Sequence, residues 1–272
     1  MSIISNKDKN LKIYEIWHIE CFEGGGANRQ NYLSQIAVEY EKQSPTTLFM
    51  VRRIEADQLE TALNQNTPHL ISFSEQVAHI VLPHLKQFSI EYNVQNNYLE
   101  SAKYNNNLMA VPFIASGYCY FSKNNAANNS AIYTANTNLH NATSLVQNLE
   151  INNGQTLTSY ECYTHFINSN NIKLLGTARD LFRIKNLESL GRFNITYEPI
   201  SSFTNLVQYL GKTTNNQDVE NFINHLMSNN NQQKLSSLSL FSTTHLKIYT
   251  EPTYSQMEIA LQTCAVPNIF NQ

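Results

Sequence analysis

Charged side chains and long apolar runs are both scarce in this chain of 272 residues. Charged residues make up 14% and apolar residues 42%, so uncharged groups, asparagine above all, supply much of the polar surface. The net charge is −3 and no block of lysine and arginine is present. Because a basic face normally meets a phosphate backbone, this balance argues against a nucleic-acid partner. No stretch reaches the ~18 apolar residues that a membrane span needs.

Cysteine is also rare. The four residues, Cys21, Cys119, Cys162 and Cys264, lie far apart in the sequence. No CxxC pair and no histidine at zinc-finger spacing accompanies them, so no structural metal site is predicted. Buried free thiols are the simplest expectation, and disulfides are the alternative in an exported protein.

The motifs of common enzyme classes are missing. The segment "GGGANR" lacks the lysine of a phosphate-binding loop and the last glycine of a dinucleotide fingerprint. No GxSxG elbow, HExxH helix or kinase signature is present. Glu20 and Glu23 share a loop, but two such acids are too common to indicate a glycosidase. The sequence therefore predicts a non-enzyme with no catalytic residue, no metal and no cofactor, and a glycan-active enzyme is the rival interpretation.

The first half of the chain alternates strand and helix patterns. The strand patterns are "KIYEIWHI", "TTLFMVRRI" and "HLISFS", and the helical patterns that follow them are Arg29–Gln43, "EADQLETALNQ" and "EQVAHIVLPHLKQF". This alternation predicts an α/β fold in which a mainly parallel sheet is flanked by helices.

The second half contains fewer but clear units. "TSYECYTHFINS" predicts a helix capped by Thr158 or Ser159, and "IKLLGT" predicts a strand that leads into the helix "ARDLFRIKNLESL". Residues 218–238 carry an apolar stripe of helical spacing, formed by Val219, Phe222, Ile223, Leu226 and Met227. Residues 123–156 are rich in Asn, Ala, Thr and Ser and show only weak periodicity.

A glycine turn, "WHIECFEGGGANR", joins the first strand to the first helix. In open α/β sheets, ligands lie beyond the carboxyl ends of the strands, in loops of this kind. Glycine lets the backbone approach a ligand closely, and Glu23 and Arg29 could accept and donate hydrogen bonds there. The alternatives are a phosphate cradle and a plain tight turn with Asn28 as the helix cap. We interpret the turn as the lip of a ligand cleft.

A second strand-to-helix turn follows Gly176. Thr177 can cap the helix, Asp180 lies in its first turn, and Arg179 and Arg183 share one helical face. A surface Asp–Arg pair would explain the charges structurally. The functional interpretation places Thr177 and Arg179 at the mouth of the cleft, opposite the first loop.

Five segments follow one another in an order typical of a known family: "IWHIECFEGGGANRQNYLSQIAVEYEK", "PHLISFS", "MAVPFIASGYCYF", "IKLLGTARDLFRI" and "ENFINHLMSNNNQQKLSSLSLFS". In them the chain resembles the extracellular solute-binding proteins, family 1, of ATP-binding-cassette (ABC) importers, specifically the sugar-binding type of Gram-positive bacteria. His69 stands where that family usually has an acid, and residues 123–156 stand where its members carry a longer helical region. A compact variant is therefore expected.

The resemblance implies a type II periplasmic-binding-protein-like fold of two α/β lobes joined by a hinge. The first lobe would hold residues 1–112 and 201–238, and the second would hold 113–200 and 239–272. The chain would cross between the lobes near Pro112, Pro199 and Leu240, and the lobes would close over a ligand.

The resemblance also implies a function. A monomer would capture a small solute, most simply a mono- or oligosaccharide, and deliver it to the transmembrane permease of an ABC importer. Aromatic platforms and hydrogen-bonding side chains suit a sugar, and two arginines would also suit an acidic or phosphorylated sugar. A position in the core between the sheet and its helices is an equally good expectation for Trp17. The residues expected at the cleft are Trp17, Glu23, Gly24, Gly25, Arg29, Ser74, Phe113, Tyr118, Thr177 and Arg179.

Two questions stay open from the sequence. The first ten residues, "MSIISNKDKN", lack the apolar core of a signal peptide. We expect a cell-surface lipoprotein if the gene encodes a signal before this chain, and a cytoplasmic protein if Met1 is the true start. The other open alternative is a degenerate or repurposed binding protein that acts as a ligand sensor or an interaction protein.

Overall fold

Two five-stranded sheets and their flanking helices form the fold of the computed structural model. The structure describes residues 11–20, 22, 28–89, 92–123, 131–135, 154–191 and 194–271. Within these ranges the strands are β1 (Lys12–His18), β2 (Thr47–Arg53), β3 (Leu70–Phe73), β4 (Lys103–Tyr104), β5 (Asn107–Leu108), β6 (Val111–Ala115), β7 (Tyr118–Lys123), β8 (Ala131–Ala135), β9 (Gly154–Leu157), β10 (Ile172–Thr177), β11 (Ile195–Pro199) and β12 (Val207–Lys212). The α-helices are α1 (Arg29–Gln43), α2 (Leu59–Gln65), α3 (Ala78–Val81), α4 (Asn96–Ser101), α5 (Ser159–Asn168), α6 (Ala178–Ser189), α7 (Gln217–Leu226), α8 (Asn229–Gln233) and α9 (Pro252–Thr263).

The two sheets share one topology. The first has the strand order β2-β1-β3-β12-β6, and the second has the order β9-β8-β10-β7-β11. In the first sheet β1 pairs in parallel with β2 and β3, while β12 runs antiparallel to both of its neighbours. In the second sheet β8 pairs in parallel with β9 and β10, while β7 runs antiparallel to both of its neighbours. The prediction of mainly parallel sheets is confirmed.

The antiparallel strand of each sheet follows directly on a crossing from the other sheet. The chain leaves the first sheet after Ala115 and enters the second at Tyr118, where β7 pairs with the carboxyl end of β10 at Thr177. It returns between Pro199 and Val207, and Val207 pairs with Ala115. The carboxyl ends of the parallel strands in both sheets therefore meet at the two crossings.

The segment after α8 packs against both crossings. Phe241 exchanges backbone hydrogen bonds with Ala115, and Ala265 accepts one from Thr204. Helix α9 lies close to Gly117: a Cβ atom added at that glycine would be 3.3 Å from side-chain atoms of both Met257 and Leu261. The absence of a side chain at this position lets the helix approach the first crossing.

An aromatic stack fills the core between the first sheet and its helices. The Phe49 ring lies 4.2 Å from Phe222 and 5.1 Å from Tyr14, centroid to centroid, and Tyr40 packs edge-on against Phe49 and Phe222. The predicted stripe of α7 faces this core, with Val219, Phe222, Ile223 and Leu226 fully buried. Helical periodicity thus identified the buried face.

Local cap chemistry sets the starts of α5 and α6. Thr158, one of the two predicted caps, is the cap of α5 and forms a capping box with Glu161. Thr177 caps α6 in the same way, and the Asp180 carboxylate accepts from the Thr177 N–H at 3.0 Å. Gly176 makes room for that carboxylate, since a Cβ atom there would lie 2.5 Å from Asp180 Oδ2.

Two predicted helices are shorter than their patterns. "EQVAHIVLPHLKQF" forms only the single turn of α3 between two 3₁₀ turns and ends at His84, because Pro83 cannot continue a hydrogen-bonded helix. The helix predicted over residues 218–238 ends at Leu226, and the chain continues as α8 and a 3₁₀ turn. Most of the asparagine-rich stretch 123–156 lies outside the described residues, which retain its strands β8 and β9.

The aromatic stack should carry much of the stability of the first sheet. We expect Phe222→Ala to lower the free energy of unfolding by about 3–5 kcal/mol, because it removes a fully buried ring and leaves a cavity. Urea unfolding followed by circular dichroism measures the change. Phe182→Ala on α6 is the matched control: Phe182 is 39% exposed, so its loss should stay below about 1 kcal/mol. Equal losses in the two variants would contradict this account.

Candidate ligand-binding cleft

A small apolar cluster lies where the two sheets meet. Its members are Phe22, Tyr118, Leu175 and Leu206, and we call them the floor cluster. Phe22 comes from the loop after β1, Tyr118 and Leu175 belong to the second sheet, and Leu206 ends the returning crossing. Each is at most 5% exposed. The cluster therefore joins the loop after β1 to the second sheet and to the returning crossing, beside the carboxyl edges of both sheets.

Arg29 fixes the position of Phe22. Its guanidinium carbon lies 4.0 Å from the centroid of the Phe22 ring, and it donates a hydrogen bond to the Phe22 carbonyl. Glu20 balances its charge at 3.3 Å and also lies 3.7 Å from Arg53. The Arg29 side chain is only 1% exposed. Arg29, predicted as a ligand donor, is directed into the protein and holds the loop.

Tyr118 combines an apolar ring with a polar tip. Its hydroxyl donates to Asn205 Oδ1 at 2.8 Å, which ties the start of β7 to the returning crossing. Burial, followed by the negative charge of Glu75, raises the pKa of Tyr118 well above its usual value. The phenol is therefore a neutral hydrogen-bonding group at physiological pH.

Three other predicted residues lie at the carboxyl edges of the sheets. Ser74 directly follows β3, and its buried hydroxyl donates to Gln76. Thr177 and Arg179 open helix α6 and are both partly exposed, with Thr177 next to Tyr118 across the strand pair. The structure thus brings Tyr118, Thr177 and Arg179 to one edge of the second sheet.

The remaining predicted residues are placed differently. Trp17 is 2% exposed and Phe113 fully buried, and both lie in the main hydrophobic core. For Trp17 this matches the alternative of a core residue. Glu23, Gly24 and Gly25 lie outside the described residues, so their predicted role at the cleft lip stays a prediction. Asn28 caps α1 by accepting from the Gln30 N–H at 2.7 Å.

A row of buried polar side chains underlies the edge of the first sheet. His18 Nδ1 lies 3.0 Å from Ser72 Oγ, and Gln208 Nε2 donates to that oxygen at 2.9 Å and to the Ile19 carbonyl at 3.1 Å. The three side chains come from β1, β3 and β12 and are fully buried. They tie the antiparallel strand that follows the second crossing to the strand before the glycine turn.

Sequence reasoning missed Phe22, Asn205 and Gln208. Phe22 was inside the quoted turn, between the acid and the glycines, and an aromatic residue at that point was the available signal. Asn205 and Gln208 carried no signal, because their partners lie far away in the sequence.

The three described thiols are poor candidates for catalysis, and Cys21 lies outside the described residues. Cys119, Cys162 and Cys264 are buried and free. Burial raises the pKa of Cys119 to about 12 and those of Cys162 and Cys264 to about 11, so all three are protonated at neutral pH. In the described part of the chain, no group of three or more His, Cys, Asp or Glu residues is arranged to hold a metal ion. No described helix is both long and apolar enough to cross a membrane.

Comparisons with known proteins agree on the fold. No family model and no curated protein sequence matches the chain. Among solved structures, the GacH receptor of Streptomyces glaucescens, studied unliganded and with acarbose, aligns at a TM-score of 0.64 and 11% identity over 94% of this chain and 88% of its own. The extracellular solute-binding protein from Staphylococcus aureus, in complex with maltose, aligns at a TM-score of 0.65 and 12% identity over 97% of this chain and 88% of its own. A cyclo/maltodextrin-binding protein with maltotetraose aligns at 0.64 and 8% over 95% and 86%.

The chain has the two-lobe fold of extracellular solute-binding proteins. In this solute-binding-protein fold each sheet, with its helices, is the body of one lobe, and the floor cluster lies between the lobes. The alignments extend over most of every chain compared, so both lobes are represented.

The buried row predicts a pH dependence of stability. Desolvation, followed by the charges of Arg29 and Arg53, lowers the pKa of His18 to about 3. Between that value and the ordinary pKa of about 6.5, only the unfolded state binds the proton, so stability falls as the pH falls. Between pH 7.5 and pH 5, the free energy of unfolding of the native protein should fall by about 2 kcal/mol more than that of the His18→Gln variant.

Urea unfolding at the two pH values measures this difference. His79→Gln, which changes an exposed histidine on α3, is the control and should follow the native protein. Parallel pH profiles of the native protein and His18→Gln would show that His18 is not the group responsible.

Proposed function

We propose that this protein binds a carbohydrate, most simply a neutral oligosaccharide, in the cleft between its lobes. The observation that carries the proposal is the meeting of both carboxyl edges beside the Tyr118 ring and the partly exposed Thr177 and Arg179. Ligands of open α/β sheets lie at such edges. Aromatic rings pack against the apolar faces of sugars, and nearby polar groups serve their hydroxyls.

The polar groups around the floor suit hydroxyls. Asn205, Thr177 and Tyr118 provide uncharged hydrogen-bonding groups, and Arg179 provides a cationic donor at the second lip. The other arginine of the predicted site is already ion-paired, since Glu20 balances Arg29 inside the first lobe. With one of the two arginines neutralised, a neutral sugar is favoured over an acidic or phosphorylated one.

The structural neighbours support this ligand class. Their structures contain acarbose, maltose and maltotetraose, which are all oligosaccharides or close relatives. At 8–12% identity these proteins share the fold with the present chain, and their ligands define the first compounds to test. We further propose that the protein works without catalysis, as an extracellular monomer that passes its ligand to the transmembrane permease of an ABC importer.

A thermal-shift panel tests the ligand class. Maltose, maltotetraose and acarbose are compared with amino acids and short peptides. A ligand at about 100 times its dissociation constant adds roughly 2.7 kcal/mol to stability, which for a chain of this size is a Tm increase of about 5–10 °C. If no glycan raises the Tm, carbohydrate binding is refuted, whether or not a peptide or an amino acid raises it.

Two variants then test the position of the site. Arg179→Ala should weaken the binding of an active glycan by about 10-fold or more, because it removes a charged hydrogen-bond donor from the cleft. Arg52→Ala, which changes an exposed arginine on β2, is the matched control and should bind normally. Titration calorimetry measures both affinities, and equal affinities would place the ligand elsewhere.

A further inference from the structure

The floor cluster fills the base of the cleft with the protein's own side chains. Phe22 is 5% exposed, Tyr118 2%, Leu175 1% and Leu206 0%. Around them pack Tyr120, Ile132, Ile200 and Phe203, which belong to the second sheet or the returning crossing. Phe22 comes from the loop after β1 of the first lobe, whereas Tyr118, Leu175, Tyr120 and Ile132 belong to the second sheet. The cluster therefore bridges the lobes through an apolar contact between the protein's own side chains.

The position of Phe22 is built into the first lobe. Arg29 covers one face of its ring at 4.0 Å and donates to its carbonyl, and Glu20 neutralises the guanidinium. Both charged partners belong to the first lobe, at the end of β1 and the start of α1. Movement of the second lobe away from the first would leave this assembly intact and would expose the other side of the ring to water.

Exposure of that side opposes opening. Separating the lobes would transfer the apolar surface of Phe22, Leu175 and the Tyr118 ring into water, which is unfavourable. The hydroxyl of Tyr118 is bonded to Asn205 of the returning crossing, so the ring is held at the hinge, in the same buried cluster as Phe22. The cluster thus provides an attraction between the lobes of the kind that a bound ligand normally supplies.

We propose that Phe22 is an internal latch that closes the cleft in the absence of ligand and competes with ligand for the floor. The latch rests on the proposed function only in its second part, the competition. A ligand that needs the floor binds only molecules whose latch is open, so its apparent affinity falls by the fraction of such molecules.

Small-angle X-ray scattering of the unliganded protein tests the first part. Phe22→Ala should increase the radius of gyration by on the order of 1 Å over the ~18.5 Å expected for a compact chain of this length. The matched control is Phe88→Ala, which removes a ring of similar burial from the first lobe and should leave the radius unchanged. Equal radii for Phe22→Ala and the native protein would overturn the latch.

A second variant keeps the proposal testable if Phe22→Ala does not fold. Phe22→Leu keeps an apolar side chain but removes the ring face that Arg29 covers, so its radius should lie between those of the native protein and Phe22→Ala. Circular dichroism establishes that each variant is folded. If Phe22→Ala is unfolded, Phe22→Leu alone decides, and a radius equal to the native value overturns the latch.

Glycan affinity tests the second part separately. With a glycan that raises the native Tm, Phe22→Ala should bind at least about 5-fold more tightly, because the competing ring is gone. Weaker binding would overturn the competition and identify Phe22 as a ligand platform. If no glycan binds either protein, the proposed function fails, while the scattering comparison still decides whether Phe22 closes the lobes.

Discussion

Burial of one arginine shapes the loop on which the cleft depends. A guanidinium cannot lose its proton in a protein, so a buried one must be neutralised and hydrogen-bonded where it lies. Arg29 meets this demand with the Glu20 carboxylate, the Phe22 carbonyl and the Phe22 ring. These contacts hold Phe22 against the start of α1. The Phe22 ring lies in one cluster with side chains of the second sheet. The buried charge of Arg29 in the first lobe therefore positions an apolar contact between the two lobes.

The regular elements of this fold could be predicted from the sequence because their causes are local. Helix α1 has its predicted bounds, Arg29–Gln43, and the capping residues Thr158 and Thr177 lie three positions before their acidic partners. The stripe of α7 needs only the period of a helix. Pro83 also acts locally, since a residue without an N–H interrupts a helix whatever apolar pattern surrounds it.

The cleft was less predictable because its contacts join distant parts of the chain. Tyr118 bonds Asn205 across 87 positions, and Gln208 reaches Ile19 across 189. A charge at a helix start, such as Arg29, has the same pattern in sequence whether it faces a ligand or an internal carboxylate. Trp17 and Phe113 show the corresponding ambiguity for aromatic residues, since strand ends border both the cleft and the core. The family resemblance identified the architecture correctly, and the direction of individual side chains required the structure.

The position of β12 has a consequence for how the protein forms. This strand lies between β3 and β6 in the first sheet, yet residues 207–212 are synthesised only after every strand of the second sheet. While the second lobe is being synthesised, the first sheet therefore lacks the strand that lies between β3 and β6. Closing that gap requires a loop of roughly a hundred residues, which costs more entropy than a hairpin and slows folding. The first sheet is consequently complete only after the chain has returned from the second lobe.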